Sequence, residues 1–289
     1  MARFQAPMRT PRPIRQSRRW LPGAINILVV AALLFAATFL PPDTSLGEVR
    51  RSGTLRVCVP QSAAPLVTGD PAAPGYDIEV LQHLAERLGL RLALNINPAI
   101  GRDFNPRNWR LTRAQCAVIA GGVVDSAATR GFLQLLPTGV ETGWAAIVPP
   151  GEALGPVGTA AVLPGSQGLD RLALSGFLRE NGIRTLAARA PGDLVAALET
   201  GAADIAISDR FTIATLALDE DARILWLPEP PFARFPLAFG LWKGDLTLRR
   251  ALRDAMDAMG RDGTLASIAE RYGLDGGPED AADIGELFG

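Results

Sequence analysis

The sequence predicts an α/β protein of two lobes preceded by one transmembrane helix. Three observations carry that expectation. A basic segment leads into an uncharged apolar run; short β-type runs then alternate with amphipathic helical ones; and a Pro/Gly-rich break at residues 149–158 is followed by a second round of the same alternation.

Composition narrows the classes. The chain has 289 residues, 48% hydrophobic and 20% charged, too apolar for a wholly disordered protein and long enough for one large or two modest domains. The 29 basic residues against 30 acidic ones leave no global positive field, so nucleic acid is not an expected partner. One His and two Cys give almost no ligands for a zinc-type metal site, and neither metal nor cofactor is expected.

The charge is unevenly placed. Six of the 29 basic residues, Arg3, Arg9, Arg12, Arg15, Arg18 and Arg19, precede Trp20 without an acid among them, which leaves 23 basic against 30 acidic residues in the rest. Residues 20–40 carry no charge, and their length matches roughly 30 Å of hydrocarbon. The expectation is a cytoplasmic segment at 1–19 and an anchor at 20–41, with the main domain exported across the inner membrane into the periplasm. A cleaved signal peptide is the alternative. Its apolar core is commonly about 7–15 residues and ends in a small-x-small site. This run is longer and ends in Phe39-Leu40-Pro41-Pro42, and Ser45-Leu46-Gly47 is the nearby small-x-small pattern. With only a short segment before Trp20, no cytoplasmic output domain is expected.

Beyond the linker, residues 55–59 read as a strand and 77–88 as a helix, with Ile78, Leu81, Leu84, Ala85 and Leu88 on one face. Asp77 is its expected N-cap and Gly89 its stop. Residues 91–96 alternate as a second strand, and 116–120 form a third that Gly121-Gly122 ends. In the second unit, strands are expected at 159–163, 184–187 and 205–208, and helices at 169–181 and 191–200. A strand at 237–242 and helices over 246–272, broken near 260–263, close the fold; the acidic tail 276–289 is expected to be mobile.

Read in order, these elements are familiar. Ser52-Gly53-Thr54-Leu55-Arg56-Val57, Gly75-Tyr76-Asp77-Ile78-Glu79-Val80 and Leu84-Ala85-Glu86-Arg87-Leu88-Gly89 are followed by Val118-Ile119-Ala120-Gly121 and by Ala197-Leu198-Glu199-Thr200-Gly201-Ala202-Ala203-Asp204-Ile205-Ala206. Trp242-Lys243-Gly244-Asp245, Asp262-Gly263-Thr264-Leu265 and Glu270-Arg271-Tyr272-Gly273 complete the set. Over residues 47–275 the chain resembles the family 3 extracellular solute-binding proteins, the polar amino-acid receptors of ABC importers.

That resemblance implies a type II, Venus-flytrap periplasmic-binding-protein fold with two hinge strands. Lobe one would span 47–148 plus 235–275 and lobe two 149–234, with crossings near 141–148 and 235–240. A small polar solute, expected to be an amino acid, would lie between the lobes and pass to an ABC-type permease. On the family pattern Arg130 grips the solute's carboxylate, with a one-residue shift in spacing, and Asp209 receives its ammonium. The alternatives are a solvated Arg130 and an Asp209 that caps the helix beginning at Arg210. Gly121, Gly122 and Val123 would offer backbone contacts in lobe one; Gly165, Ser166 and Gln167 would do so at a helix start in lobe two. Leu66, in Ala64-Pro65-Leu66, stands where relatives place an aromatic ring over the ligand.

Cys58 and Cys116 fall on strands that are neighbours in the family's sheet order, and export favours a disulfide; two buried thiols are the other possibility. Cysteines at similar places also occur in a branch that accompanies quinoprotein alcohol dehydrogenases. That looser resemblance implies a second function, an accessory subunit of a periplasmic or membrane complex. Catalysis is not expected. His83 falls on the solvent side of its helix, and Ser166 lacks a nucleophile elbow because Pro164 replaces its first glycine. Residues 105–113, rich in Asn and Arg around Trp109, read as a solvated loop or as a docking surface.

Overall fold

The computed structural model describes residues 21–37, 43–100, 105–150, 157–164, 169–219, 221–275 and 278–280. The chain divides into two compact units, Met1–Pro42 and Asp43–Gly289.

In the first unit, α1 (Leu21–Ala37) has 17 residues with no acid in its first turn and no base in its last. No helix among the described residues is long and apolar enough to cross a membrane. The basic residues 1–19 and the remainder of the expected anchor, residues 20 and 38–41, lie outside the described residues.

The second unit is built on two sheets. The first contains β1 (Thr54–Val59), β2 (Arg91–Ile96), β3 (Val118–Ile119), β4 (Leu133–Thr142) and β10 (Phe235–Trp242), in the order β2-β1-β3-β10-β4. β1 runs parallel to β2 and β3, while β10 is antiparallel to both β3 and β4. One face is covered by α2 (Ser45–Ser52), α3 (Tyr76–Arg87), α8 (Leu246–Arg261) and α9 (Thr264–Arg271). Leu81, Leu84, Leu248, Leu252, Met259 and Ile268 pack there on Val57, Leu241 and Phe239. The other face carries a 3-10 turn (Pro106–Trp109) and α4 (Ala127–Phe132).

The second sheet contains β5 (Trp144–Val148), β6 (Thr159–Val162), β7 (Arg184–Ala187), β8 (Ile205–Asp209), β9 (Arg223–Trp226) and β11 (Glu279–Asp280), in the order β11-β9-β5-β8-β6-β7. α5 (Arg171–Glu180) places Leu174, Phe177 and Leu178 in one core, while α6 (Pro191–Glu199) and α7 (Arg210–Ala214) place Leu194, Ala197 and Ile213 in another.

Three sequence expectations need correction. β5 lies between β9 and β8, so residues 144–148, expected in lobe one, belong to the second sheet, and the chain crosses at Gly143, within the expected range 141–148. All five of its residues are buried, the mark of a central strand, which hides the period-2 pattern that would have revealed it. A Cβ at Gly143 would come within 3.0 Å of the Trp226 ring, which is why glycine stands at the crossing. Second, α3 starts at Tyr76 with Gly75 as N-cap, and Asp77 turns inward instead of capping. Third, part of the acidic tail is held. β11 pairs in parallel with β9, and Glu279 lies 3.1 Å from Arg223, whereas residues 276–277 and 281–289 lie outside the described residues.

Candidate functional site

The strand registers show where a site can form. Phe235 pairs with Thr142, so the segments at which the chain enters and leaves lobe two run side by side. β10 begins at this crossing and runs antiparallel to β3, so β3 and its parallel neighbour β1 end toward the crossing. In the other sheet Trp144, the first residue of β5, pairs with Asp209, the last of β8, and β6 is parallel to β8. The carboxyl ends of both parallel sets therefore meet at the interlobe side, where open α/β sheets place their crevices.

On the lobe-one side the turn after β3 is tightly specified. Gly121 has φ of 85°, and a Cβ there would lie 2.3 Å from Pro60 Cδ. Its N–H donates to Asp77 Oδ2 at 2.8 Å. Asp77 is 3% exposed and its Oδ1 has no hydrogen-bond partner. Burial pushes its carboxyl from 3.8 up to about 7, opposed by the Gly121 N–H. Beside it the buried Tyr76 hydroxyl donates to Thr138 O at 3.1 Å, and burial raises that phenol to about 12.

Two residues expected at the ligand have buried side chains. Leu66 is 1% exposed and packs with the α3 and α8 side chains, and Val123 is fully buried beside Trp109 and Leu133. The Val123 carbonyl is already taken by the Ala238 N–H, at 2.9 Å. Gly122, partly accessible with φ of 99°, remains at the surface of the turn. Gly165, Ser166 and Gln167 lie outside the described residues.

Arg130 sits on α4, whose N-cap Ser126 accepts the Thr129 N–H at 3.2 Å. Its side chain is 69% exposed and already engaged: Nε reaches Asp125 Oδ1 at 2.5 Å and Nη2 reaches Oδ2 at 3.0 Å. Asp125 is the residue sequence reasoning missed. Its acidity and its place five residues before Arg130 were the available signal.

Asp209 takes the capping role of the two that the sequence left open. At 1% exposure, its Oδ1 accepts the N–H groups of Phe211 (3.1 Å) and Thr212 (3.2 Å), and its Oδ2 accepts the Thr212 hydroxyl at 2.6 Å. The next residue, Arg210, reaches out of lobe two. Its guanidinium donates to the carbonyls of Glu141 (3.1 Å) and Leu274 (3.3 Å), tying α7 to the hinge and to the segment after α9. Burial lowers the pKa of this arginine, with Glu141 and Asp275 opposing.

Cys58 and Cys116 form a disulfide that joins β1 to the segment before β3. His83 is on the surface, 3.6 Å from Glu86. Among the described residues no cluster of His, Cys, Asp or Glu is arranged to hold a metal ion.

Residues 55–275 match the model of the bacterial extracellular solute-binding proteins, family 3. The chain belongs to that family. No curated protein sequence matches it. Among solved structures it is similar to a polar amino acid ABC uptake transporter substrate binding protein from Streptococcus thermophilus, over 80% of this chain and 89% of that one, at 13% identity and a TM-score of 0.65. An ancestral cationic amino acid solute binding protein is matched over 79% of this chain and 99% of its own, at 19% identity and a TM-score of 0.59. A Streptococcus pneumoniae ABC uptake transporter substrate binding protein with bound histidine is matched over 80% and 96%, at 14% identity and a TM-score of 0.52. At these identities the likeness is one of fold. The two-sheet α/β architecture of this solute-binding protein is thus the periplasmic-binding-protein fold.

Proposed function

We propose that this solute-binding protein captures a small polar solute of the amino-acid class between its lobes and delivers it to an ABC-type permease. The observation that carries the reading is the paired crossing at Thr142 and Phe235, toward which the parallel strands of both lobes end. Two adjacent crossing strands let the lobes rotate about one line and enclose a guest. Arg130 supplies an exposed cation on the lobe-one side and Gly122 an accessible backbone turn, while Asp209 holds α7 rather than meeting the solute. The role is binding rather than catalysis, in keeping with the family and with a sole histidine on the surface.

The basic residues before Trp20 and the apolar run after it support a single-pass tether in the inner membrane, with the lobes in the periplasm. A tether keeps the receptor beside its permease and raises the effective concentration of the encounter. Membrane fractionation and the intact mass of the mature chain test this: an extractable protein shortened at its amino end would replace the tether by a cleaved signal peptide.

A second reading, an accessory subunit of a periplasmic or membrane complex, is favoured by one observation. Both charges expected to anchor a zwitterion are engaged within the chain, Arg130 by Asp125 and Asp209 by its helix. Calorimetry against a panel of amino acids and small organic acids separates the two. A micromolar ligand whose affinity falls at least about tenfold in Arg130→Ala supports capture for transport. Silence across the panel, together with stable co-purification of an enzyme or membrane complex, supports the accessory role.

A further inference from the structure

The segment 105–113 is fixed on its inner side and cationic on its outer side. Trp109 is 1% exposed and packs with Ile100, Leu111 and Leu133 around the Cys58–Cys116 bridge. Asn105 caps the 3-10 turn by accepting the Arg107 N–H at 3.2 Å, and Asn97 Nδ2 donates to the Trp109 carbonyl at 3.4 Å. At the far end Arg113 is held by the Asp245 carboxylate at 2.5 Å and the Lys243 carbonyl at 3.3 Å.

Between these anchors Arg107 and Arg110 point outward. Both are exposed, and neither guanidinium has a hydrogen bond or ion pair among the described residues. Arg87, Arg130 and Arg271 of the same lobe carry ion pairs, with Asp262, Asp125 and Glu79, whereas Arg91, Arg250 and Arg253 are exposed like Arg107 and Arg110. Arg110 is also the one described non-glycine residue with positive φ, 52°. That backbone disfavours a residue with a Cβ, and the fold maintains it where a glycine would relieve it.

We infer that this loop is a docking face for an acidic segment of a partner protein, with Arg107 and Arg110 as the gripping cations. Charge complementarity selects the partner. The guanidiniums match carboxylates in pairs, and a loop already ordered by its anchors loses little further freedom on binding. A lipid surface fits less well. Polybasic membrane contacts use clusters of roughly four to eight cations, and interfacial aromatics must be accessible, whereas Trp109 is enclosed. The inference goes beyond solute capture and is independent of which solute the cleft takes.

The test uses the full chain with Arg3, Arg9, Arg12, Arg15, Arg18 and Arg19 replaced by Gln, so that the basic amino-terminal segment does not capture the probe, in neutral detergent, with fluorescently labelled poly-L-glutamate as probe at low ionic strength and vesicles containing phosphatidylglycerol as the lipid arm. Poly-L-glutamate should bind, and the double variant Arg107→Glu/Arg110→Glu should weaken binding at least about tenfold. The equally charged control Arg179→Glu/Arg250→Glu should stay within about twofold of the parent. Arg110→Gly supplies a second readout: it should raise the melting midpoint by relieving the backbone while weakening poly-L-glutamate binding. The inference is overturned by no binding, by equal loss in the control, by unchanged binding in Arg110→Gly, or by tighter binding to the vesicles than to poly-L-glutamate.

Discussion

Asp125 occupies Arg130 as a carboxylate ligand would: two oxygens meet two guanidinium nitrogens, at 2.5 Å and 3.0 Å. With Arg130 69% exposed, the pair is solvent-screened and only weakly held. On the proposed function, a solute carboxylate enclosed by lobe closure would displace Asp125, and the displaced charge would stay nearby and oppose it. Asp125→Asn is expected to raise affinity for carboxylate solutes by about three- to tenfold in calorimetric titrations, and Arg130→Ala to remove it. Equal affinities in Asp125→Asn and the parent would show that the internal pair does not compete.

Asp209 gives a prediction of the opposite kind. Its three acceptor contacts all serve the start of α7, so Asp209→Ala is expected to destabilise lobe two by about 1–2 kcal/mol in urea unfolding. Solute affinity should change by less than about twofold, since the side chain is buried. A tenfold loss of affinity with unchanged stability would move Asp209 from the helix cap to the ligand.

The contrast between these residues shows how far the sequence could be read. The strand of 91–96 and the helix breaks at Gly89 and Gly263 were legible because periodicity and glycine are local signals. β4 was not legible as a strand, with Pro137 and Gly139 inside it, and neither was β5, apolar throughout, because strand pairing overrode local propensity. The site was legible at the level of residue type only. Arg130 had a ligand-binding and a solvated reading open and Asp209 a ligand-binding and a capping one, and the partners they find, Asp125 and Thr212, are brought within reach only by the folded backbone. Asp77 illustrates the same limit. Its place after Gly75-Tyr76 reads as a cap, but the facing N–H belongs to Gly121, 44 residues away.

The disulfide is the next place where a measurement has a direction. Cys58 and Cys116 are separated by 58 residues, and closing a loop of that size is worth about 4 kcal/mol in the chain-entropy account, an upper expectation. Reduction, or Cys58→Ala/Cys116→Ala, should lower the unfolding midpoint. It should also raise proteolysis within 105–117 before the rest of lobe one, because Trp109 and Leu111 pack on the bridge. Uniform proteolysis across both lobes would assign the bridge a global role instead.

Asp77 sets a pH dependence whose sign follows from burial. Its carboxyl titrates near 7 in the folded chain and near 3.8 when exposed, so between those values the unfolded state releases a proton that the folded state keeps. Stability from this group is complete below about pH 4 and is lost as pH rises through 7. The loss is on the order of 2–4 kcal/mol, since the amino end of α3 favours the anion and offsets part of the desolvation. Asp262 acts in a separate window: Thr264 and Arg87 hold its carboxyl down to about 2, and its contribution is lost only as pH falls through that region. Asp77→Asn keeps an acceptor for the Gly121 N–H and removes the titration. Calorimetric melting midpoints should therefore fall in the parent from pH 4 to 8 relative to Asp77→Asn, with the two curves meeting at the acidic end. Parallel curves across that range would mean that Asp77 is ionised within the fold at every pH, and that its unpartnered Oδ1 is reached by solvent.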